Sequence, residues 1–211
     1  DASVVNGRDA IGEYVPSVQG KLVEDSNICM PQYVRGDTYT VVSSFSLKNP
    51  EEKVDSKAIF GCSGLVYVSK NNIYVCESYY NSDDSDVTQT CIRKISYKDG
   101  ILKAVGQTRI DGTLNDSFSL DEYEGNLRLV TTVSSNGDSG IMPLVLFGDS
   151  ADSEIAKQED TNYLYILDEK LNELSKIEDI AKDEQVYSAR FIGKTGYVVT
   201  YKQTDPLFSI D

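Results

Sequence analysis

Histidine and tryptophan are absent from these 211 residues, and cations are scarce: 20 Lys plus Arg stand against 34 Asp plus Glu, a net charge of −14. Without imidazole, the chain alone holds no Ser-His-Asp or Cys-His catalytic set and no His-ligated metal. The negative balance repels phosphates at long range, which argues against nucleic acid and anionic lipid as partners. No run approaches the ~18 apolar residues of a membrane-spanning helix, and no charged-then-apolar leader opens the sequence. The chain starts at Asp1 and closes on Asp205-Pro206-Leu207-Phe208-Ser209-Ile210-Asp211, which reads as a strand cut off as it finishes. The expectation is a segment of a longer polypeptide. Four cysteines, Cys29, Cys62, Cys76 and Cys91, contain no C-x-x-C pair, which removes zinc-ribbon and thioredoxin readings. They read as small buried hydrophobes, with a Cys76–Cys91 disulfide between neighbouring strands as the alternative. Helical periodicity is nearly missing as well.

What remains is β-rich punctuation. Short apolar runs separated by Gly, Asn and Asp mark an all-β chain, and three of them repeat a strand–turn–strand pattern: residues 65–77, 118–132 and 186–200. In each, Gly or Asn stands where a tight hairpin calls for positive φ. A second strand pair follows the first two hairpins: residues 90–97 and 101–106 around the turn Lys98-Asp99-Gly100, then 162–168 and 173–177. The unit is therefore four antiparallel strands. The second strands begin at Ile73, Leu127 and Gly196, so the unit recurs after 54 and then 69 residues. The longer step comes from an acidic insertion, residues 134–161, with six acids and one Lys.

Four-stranded units at this spacing point to a β-propeller. Residues 39–47 and 57–60 read as the last two strands of an earlier blade, and 207–210 as the third strand of a later one. Two complete blades and two partial ones fall short of the four to eight that close a ring, so a fragment of a larger propeller is expected. An open meander or sandwich is the alternative. Residues 1–37 read as an irregular loop region packed on the propeller segment 38–211.

Several ordered motifs carry a family resemblance. The run Gly112-Thr113-Leu114-Asn115-Asp116-Ser117-Phe118, continuing to Leu127-Arg128-Leu129-Val130-Thr131-Thr132, resembles the central motif of bacterial and archaeal secreted proteins with a C-terminal β-propeller distantly related to WD repeats. Glu184-Gln185-Val186-Tyr187-Ser188-Ala189-Arg190-Phe191, Thr204-Asp205-Pro206-Leu207-Phe208 and residues 65–74 resemble further motifs of that family. The resemblance implies a larger propeller and a secreted or cell-envelope location, bacterial in the simplest case. It implies no reaction and brings no catalytic residues. Some relatives are described as copper-amine-oxidase-like, and this chain has no His to ligate copper.

Three motifs suggest chemistry that the chain does not support. Gly137-Asp138-Ser139-Gly140 and Phe147-Gly148-Asp149-Ser150 resemble hydrolase nucleophile motifs, but both chemistries need a His base. Lys194-Thr195-Gly196 lacks its Ser-x-x-Lys partner and fits a hairpin turn. Asn115-Asp116-Ser117 matches a glycosylation sequon and reads as chance.

Two sets remain. In the acidic loop 81–86, Asp83, Asp84 and Asp86 are weak calcium ligands without EF-hand spacing, and a solvated linker is the simpler reading. The last set is Asp121, Glu122, Arg190 and Asp205; Asp121 and Arg190 fall on first strands of successive blades, which line a propeller's channel. They read either as a ligand-binding ring or, preferably, as salt bridges that tie blades together. The functional expectation is a non-enzymatic extracellular binding module without a catalytic set or cofactor. Its partner would be a protein or a cell-wall glycan. It would also meet the rest of its own propeller, or self-associate through exposed blade edges. The alternative is an envelope enzyme or accessory domain whose active site lies in other sequence.

Overall fold

The computed structural model describes residues 14–34, 36–62, 64–80, 85–134, 160–201 and 207–210. Apart from helical Tyr14 and two 3-10 turns, all regular structure among them is β, and no helix there is long and apolar enough to cross a membrane. In chain order the strands are β1 (Ser17–Val18), β2 (Lys21–Leu22), β3 (Ile28–Cys29), β4 (Tyr39–Phe45), β5 (Lys53–Phe60), β6 (Leu65–Val68), β7 (Asn72–Tyr79), β8 (Gln89–Lys98) and β9 (Ile101–Asp111). They continue as β10 (Leu120–Tyr123), β11 (Asn126–Ser134), β12 (Asp160–Leu167), β13 (Glu173–Ile180), β14 (Gln185–Ile192), β15 (Thr195–Tyr201) and β16 (Leu207–Ile210).

Two four-stranded meanders, β6-β7-β8-β9 and β10-β11-β12-β13, are the complete blades anticipated from the repeat, and β14-β15-β16 is the first part of another. The fold is the all-β propeller segment expected. The remaining larger sheet is ordered β3-β5-β4. There β4 and β5 pair antiparallel, as the sequence suggests, while β3 joins β5 in parallel from within residues 1–37. That stretch also holds the small β1–β2 hairpin. Two residues give β3 too little period to be seen in sequence.

The turns follow their chemistry. Asp99 and Gly100 (φ 52° and 80°) close β8 on β9, and Glu124 and Gly125 (φ 51° and 86°) close β10 on β11, the paired positive-φ geometry that matches strand twist. The first hairpin departs from this expectation. Neither Asn71 nor Asn72 has positive φ; instead the Ser69 hydroxyl accepts from Asn72 N at 3.0 Å, and Ser69 N donates to Asn72 O at 2.8 Å. A serine side chain substitutes for the turn backbone.

The described residues fall into two compact units, within Asp1–Glu77 and Ile92–Gln107, and within Ser78–Cys91 and Thr108–Asp211. The first has its core at Ile59, Cys62, Val75, Ile95 and Leu102. The second is centred on Val130, Leu164, Ile180, Val186, Ala189 and Val198, which pack sheet β10–β13 against sheet β14–β16. Cys62, Cys76 and Cys91 are buried and Cys29 half-buried, all four as thiols. Burial is the largest influence on the Cys62 thiol and pushes its pKa up, although Arg93 opposes it.

Candidate functional site

The residues singled out from sequence separate in the structure. Asp121, on β10, stands directly across from Arg128 on β11. Arg128 Nε donates to Asp121 Oδ2 at 3.1 Å, Nη2 donates to the same oxygen, and Nη1 donates to Gly193 O at 2.8 Å in the next hairpin. The guanidinium lies between the rings of Tyr123 and Phe191, 4.7 and 4.9 Å from their centroids. Arg128 therefore ties β11 to the β14–β15 turn. Asp121 and Arg190 do not pair with each other. Arg190 projects from β14 over the Phe118 ring at 3.5 Å and donates to Ala189 O at 3.1 Å. Glu122 is half-buried beside Asp121. Asp205, Asp83 and Asp84 lie outside the described residues, as does 135–159, which contains both hydrolase-like motifs; Asp86 is exposed. Lys194 sits in the β14–β15 turn and Thr195 and Gly196 open β15, so this motif is a hairpin. No group of three His, Cys, Asp or Glu side chains among the described residues could hold a metal ion.

A different set does converge, in the second unit. An open groove of about 410 Å³ is lined by Asn115, Asp160, Asp183, Gln185, Val186, Tyr187 and Tyr201. Sequence analysis passed over it because its members come from four separate segments. Its central feature is a register shift: Val186 faces Thr200 and Ser188 faces Val199, leaving Tyr187 as an extra residue between them. Such a bulge re-aims a side chain. Tyr187 is 69% exposed, and Tyr201, at the same end of the pairing opposite Gln185, 63%.

The surroundings of the groove are fixed by polar contacts. Asn115 Nδ2 donates to Tyr187 O at 2.8 Å. Asp116 caps the 3-10 turn Ser117–Ser119 by accepting from Phe118 N at 2.8 Å and Ser119 N at 3.1 Å. Asp160 accepts from Ser134 Oγ at 2.6 Å and Gln185 Nε2 at 2.7 Å. Buried Asn162 donates to Ile180 O at 2.9 Å and Glu184 O at 3.0 Å, and accepts from Thr132 Oγ1 at 2.8 Å. It holds the end of β13 and the connector after it, where Asp179, Ala181 and Asp183 all take positive φ. The result combines two carboxylates, two amides and two exposed phenol rings. That set suits a cation, through charge and ring faces, and contains no nucleophile–base pair.

A family model described as "Beta propeller domain" matches residues 5–211. Over 135 residues, 64% of this chain, the sequence is 36% identical to an uncharacterized protein of Archaeoglobus fulgidus and 34% identical to one of Methanocaldococcus jannaschii. Those stretches make up 17% and 18% of the two archaeal proteins, so the chain spans less than a fifth of each by this match. The blades seen in the fold and the extent of the family match agree: the chain belongs to the β-propeller domain family.

Proposed function

We propose that this domain is a non-enzymatic binding module of a secreted or envelope-anchored protein, and that its groove receives a Lys or Arg side chain of a protein partner. The observation that carries this reading is the bulge that turns Tyr187 outward beside Tyr201, Asp160 and Asp183. A cation over a tyrosine face gains about 0.5–2 kcal/mol, and carboxylates alongside raise the local concentration of positive ligands. The net charge of −14 favours the same partners. The location rests on the resemblance to secreted propeller proteins.

An amide titration followed by NMR, with hexalysine, hexaglutamate and N-acetylglucosamine tetramer as probes, tests the assignment. Hexalysine is expected to shift resonances of Asn115, Gln185 and Tyr187, with affinity falling as salt rises. Tyr187→Ala is expected to weaken it at least fivefold while leaving the melting temperature unchanged. Binding of the glycan alone, or hexalysine shifts scattered over the acidic surface, would overturn it.

A further inference from the structure

The outer strands of the two complete blades differ in how their free edges are defended. In the orders β6-β7-β8-β9 and β10-β11-β12-β13, the last strand is bonded on one side only. Such an edge is a row of backbone donors and acceptors open to another strand, and proteins blunt it with charge or irregularity. β13 is blunted. It carries Glu173, Lys176, Glu178 and Asp179, its pairing with β12 shifts register twice, and Asp179 takes positive φ. β9 has 11 residues, none with positive φ, and from Ile101 to Thr108 its only charged side chain is Lys103.

Hairpin geometry identifies which β9 groups point outward. The two-residue turn Asp99-Gly100 sets Lys98 opposite Ile101, which places Ser96 opposite Lys103 and Ile95 opposite Ala104. The Ser96 hydroxyl donates to Lys103 O at 3.4 Å, in keeping with that register. The pair flanking such a turn is hydrogen-bonded, and bonded and non-bonded pairs then alternate. The N–H and C=O of Leu102, Ala104 and Gly106 therefore face away from β8. Leu102 N agrees, donating to Asp55 Oδ2 at 2.8 Å. Further along, Gln107 Oε1 accepts from Gln32 N at 3.2 Å. Between these contacts the edge is open: Ala104 and Val105 are exposed, and neither Ala104 nor Gly106 bonds a loop or a side chain among the described residues.

A cavity of about 240 Å³ adjoins this window, within the first unit. Its wall includes Ala104 and Gly106 from β9, Met30 and Pro31 from the segment after β3, and the core residues Ile59 and Ile95. Arg93 and Lys94 also line it, each only 4% exposed, and no lining residue is acidic. The two cations set the sign of the local potential, and the apolar members supply the contact surface.

We propose that the β9 edge is a strand-addition site for a short extended peptide in which an apolar residue precedes an acidic one. The peptide runs antiparallel to β9. Its apolar residue stands opposite Ala104, exchanges both main-chain hydrogen bonds with it and places its side chain in the cavity. The following residue stands opposite Lys103 on the other face, where a carboxylate meets the ammonium. The cavity lies below the ~300 Å³ at which drug-sized pockets begin, a volume suited to one side chain. In a chain of net charge −14, this acid-free stretch admits an acidic partner that the rest of the surface repels. The site is independent of the tyrosine groove and of the function proposed for it.

Amide-shift NMR on the 211-residue chain provides the test, with the acetylated and amidated peptide Thr-Val-Thr-Leu-Glu-Thr as probe. Its binding is expected to shift Lys103, Ala104 and Gly106. Replacing the peptide's Leu by Ala should weaken binding about tenfold, N-methylating that Leu about fivefold, and replacing its Glu by Lys about threefold. Ala104→Pro removes an outward N–H, a change that an edge strand accommodates, and should abolish binding with the melting temperature nearly unchanged. Lys103→Glu, at an exposed position, should weaken the Glu peptide and improve the Lys peptide, which keeps the test decisive if the proline variant unfolds. Equal affinity of the N-methylated peptide, binding that survives Ala104→Pro in a folded chain, shifts centred on β13, or no binding at all would each overturn the proposal. Concentration-dependent shifts at Ala104 without peptide would assign the edge to a second copy of the chain and overturn it as well.

Discussion

Arg93 and Arg128 are both buried arginines on inner strands, and they have been treated differently by their surroundings. Around Arg128 each guanidinium nitrogen has an acceptor: Asp121 takes Nε–H and an Nη2–H, Gly193 O takes an Nη1–H, and two aromatic rings cover the faces. Around Arg93 this is not so: one carboxylate, one carbonyl and one thiol meet Nη1 and Nη2, and the buried Nε has no acceptor among the described residues. Burial and charge do not distinguish these arginines. The number of guanidinium nitrogens left without an acceptor does: none at Arg128, one at Arg93.

The largest effect should come from breaking the Arg128 case. Arg128→Met leaves Asp121 and Gly193 O without their donor and should lower stability by about 3 kcal/mol in urea denaturation, as removal of one member of a buried pair does. The Arg93 case should respond less. Arg93→Met combined with Glu77→Leu removes both charges and the unmatched Nε together, and should stay within about 1 kcal/mol of the original chain by the same assay. Equal losses at the two sites would erase the distinction.

A titration extends the comparison to a buried phenol. Tyr165 is buried, and its OH donates to Asp111 O at 3.3 Å; burial first, and then the Asp111 carboxylate, hold its pKa far above the usual 10.0. The folded state therefore keeps a proton that the unfolded state loses above pH 10. Stability should fall as pH rises past that point, by about 1.4 kcal/mol per unit from this group. Melting curves between pH 9 and 11 should show a smaller alkaline loss in Tyr165→Phe. The smallest effect belongs to an exposed acceptor. Asp168 takes bonds from Asn172 Nδ2 at 2.9 Å, Asn172 N at 2.8 Å and Lys170 N at 2.8 Å, and these lower its pKa. Its stabilisation is present at neutral pH and is lost as acid protonates it. Asp168→Ala should shift the melting temperature only slightly at pH 7 and not at all near pH 2.

The Arg128 site was within reach of the sequence. The two-residue turn Glu124-Gly125 sets Tyr123 opposite Asn126, and counting back places Asp121 opposite Arg128. The first strands of successive blades point to Arg190 instead. The hairpins and the four-strand repeat were legible because alternation and turn residues recur locally. Tyr187 was not, because a bulge is one residue of slippage with no compositional sign. Arg93 was hidden for another reason: β8 is buried on both faces, so alternation cannot tell which side a residue takes. The parallel β3 lacked length, and its pairing with β5 spans some thirty residues.

One more feature bears on how such a domain can be altered. Strands β11 and β12 stay in register to their last residues, where Ser134 faces Asp160 and the two side chains are bonded at 2.6 Å. Facing residues of an antiparallel pair stand about 5 Å apart, so Ser134 and Asp160 set two neighbouring attachment points at the end of the sheet. Any replacement whose ends meet at that spacing satisfies the same boundary condition. This junction is thus a natural splice point, where an epitope, a reporter or a foreign recognition loop can be exchanged while the blade that bears it keeps its pairing.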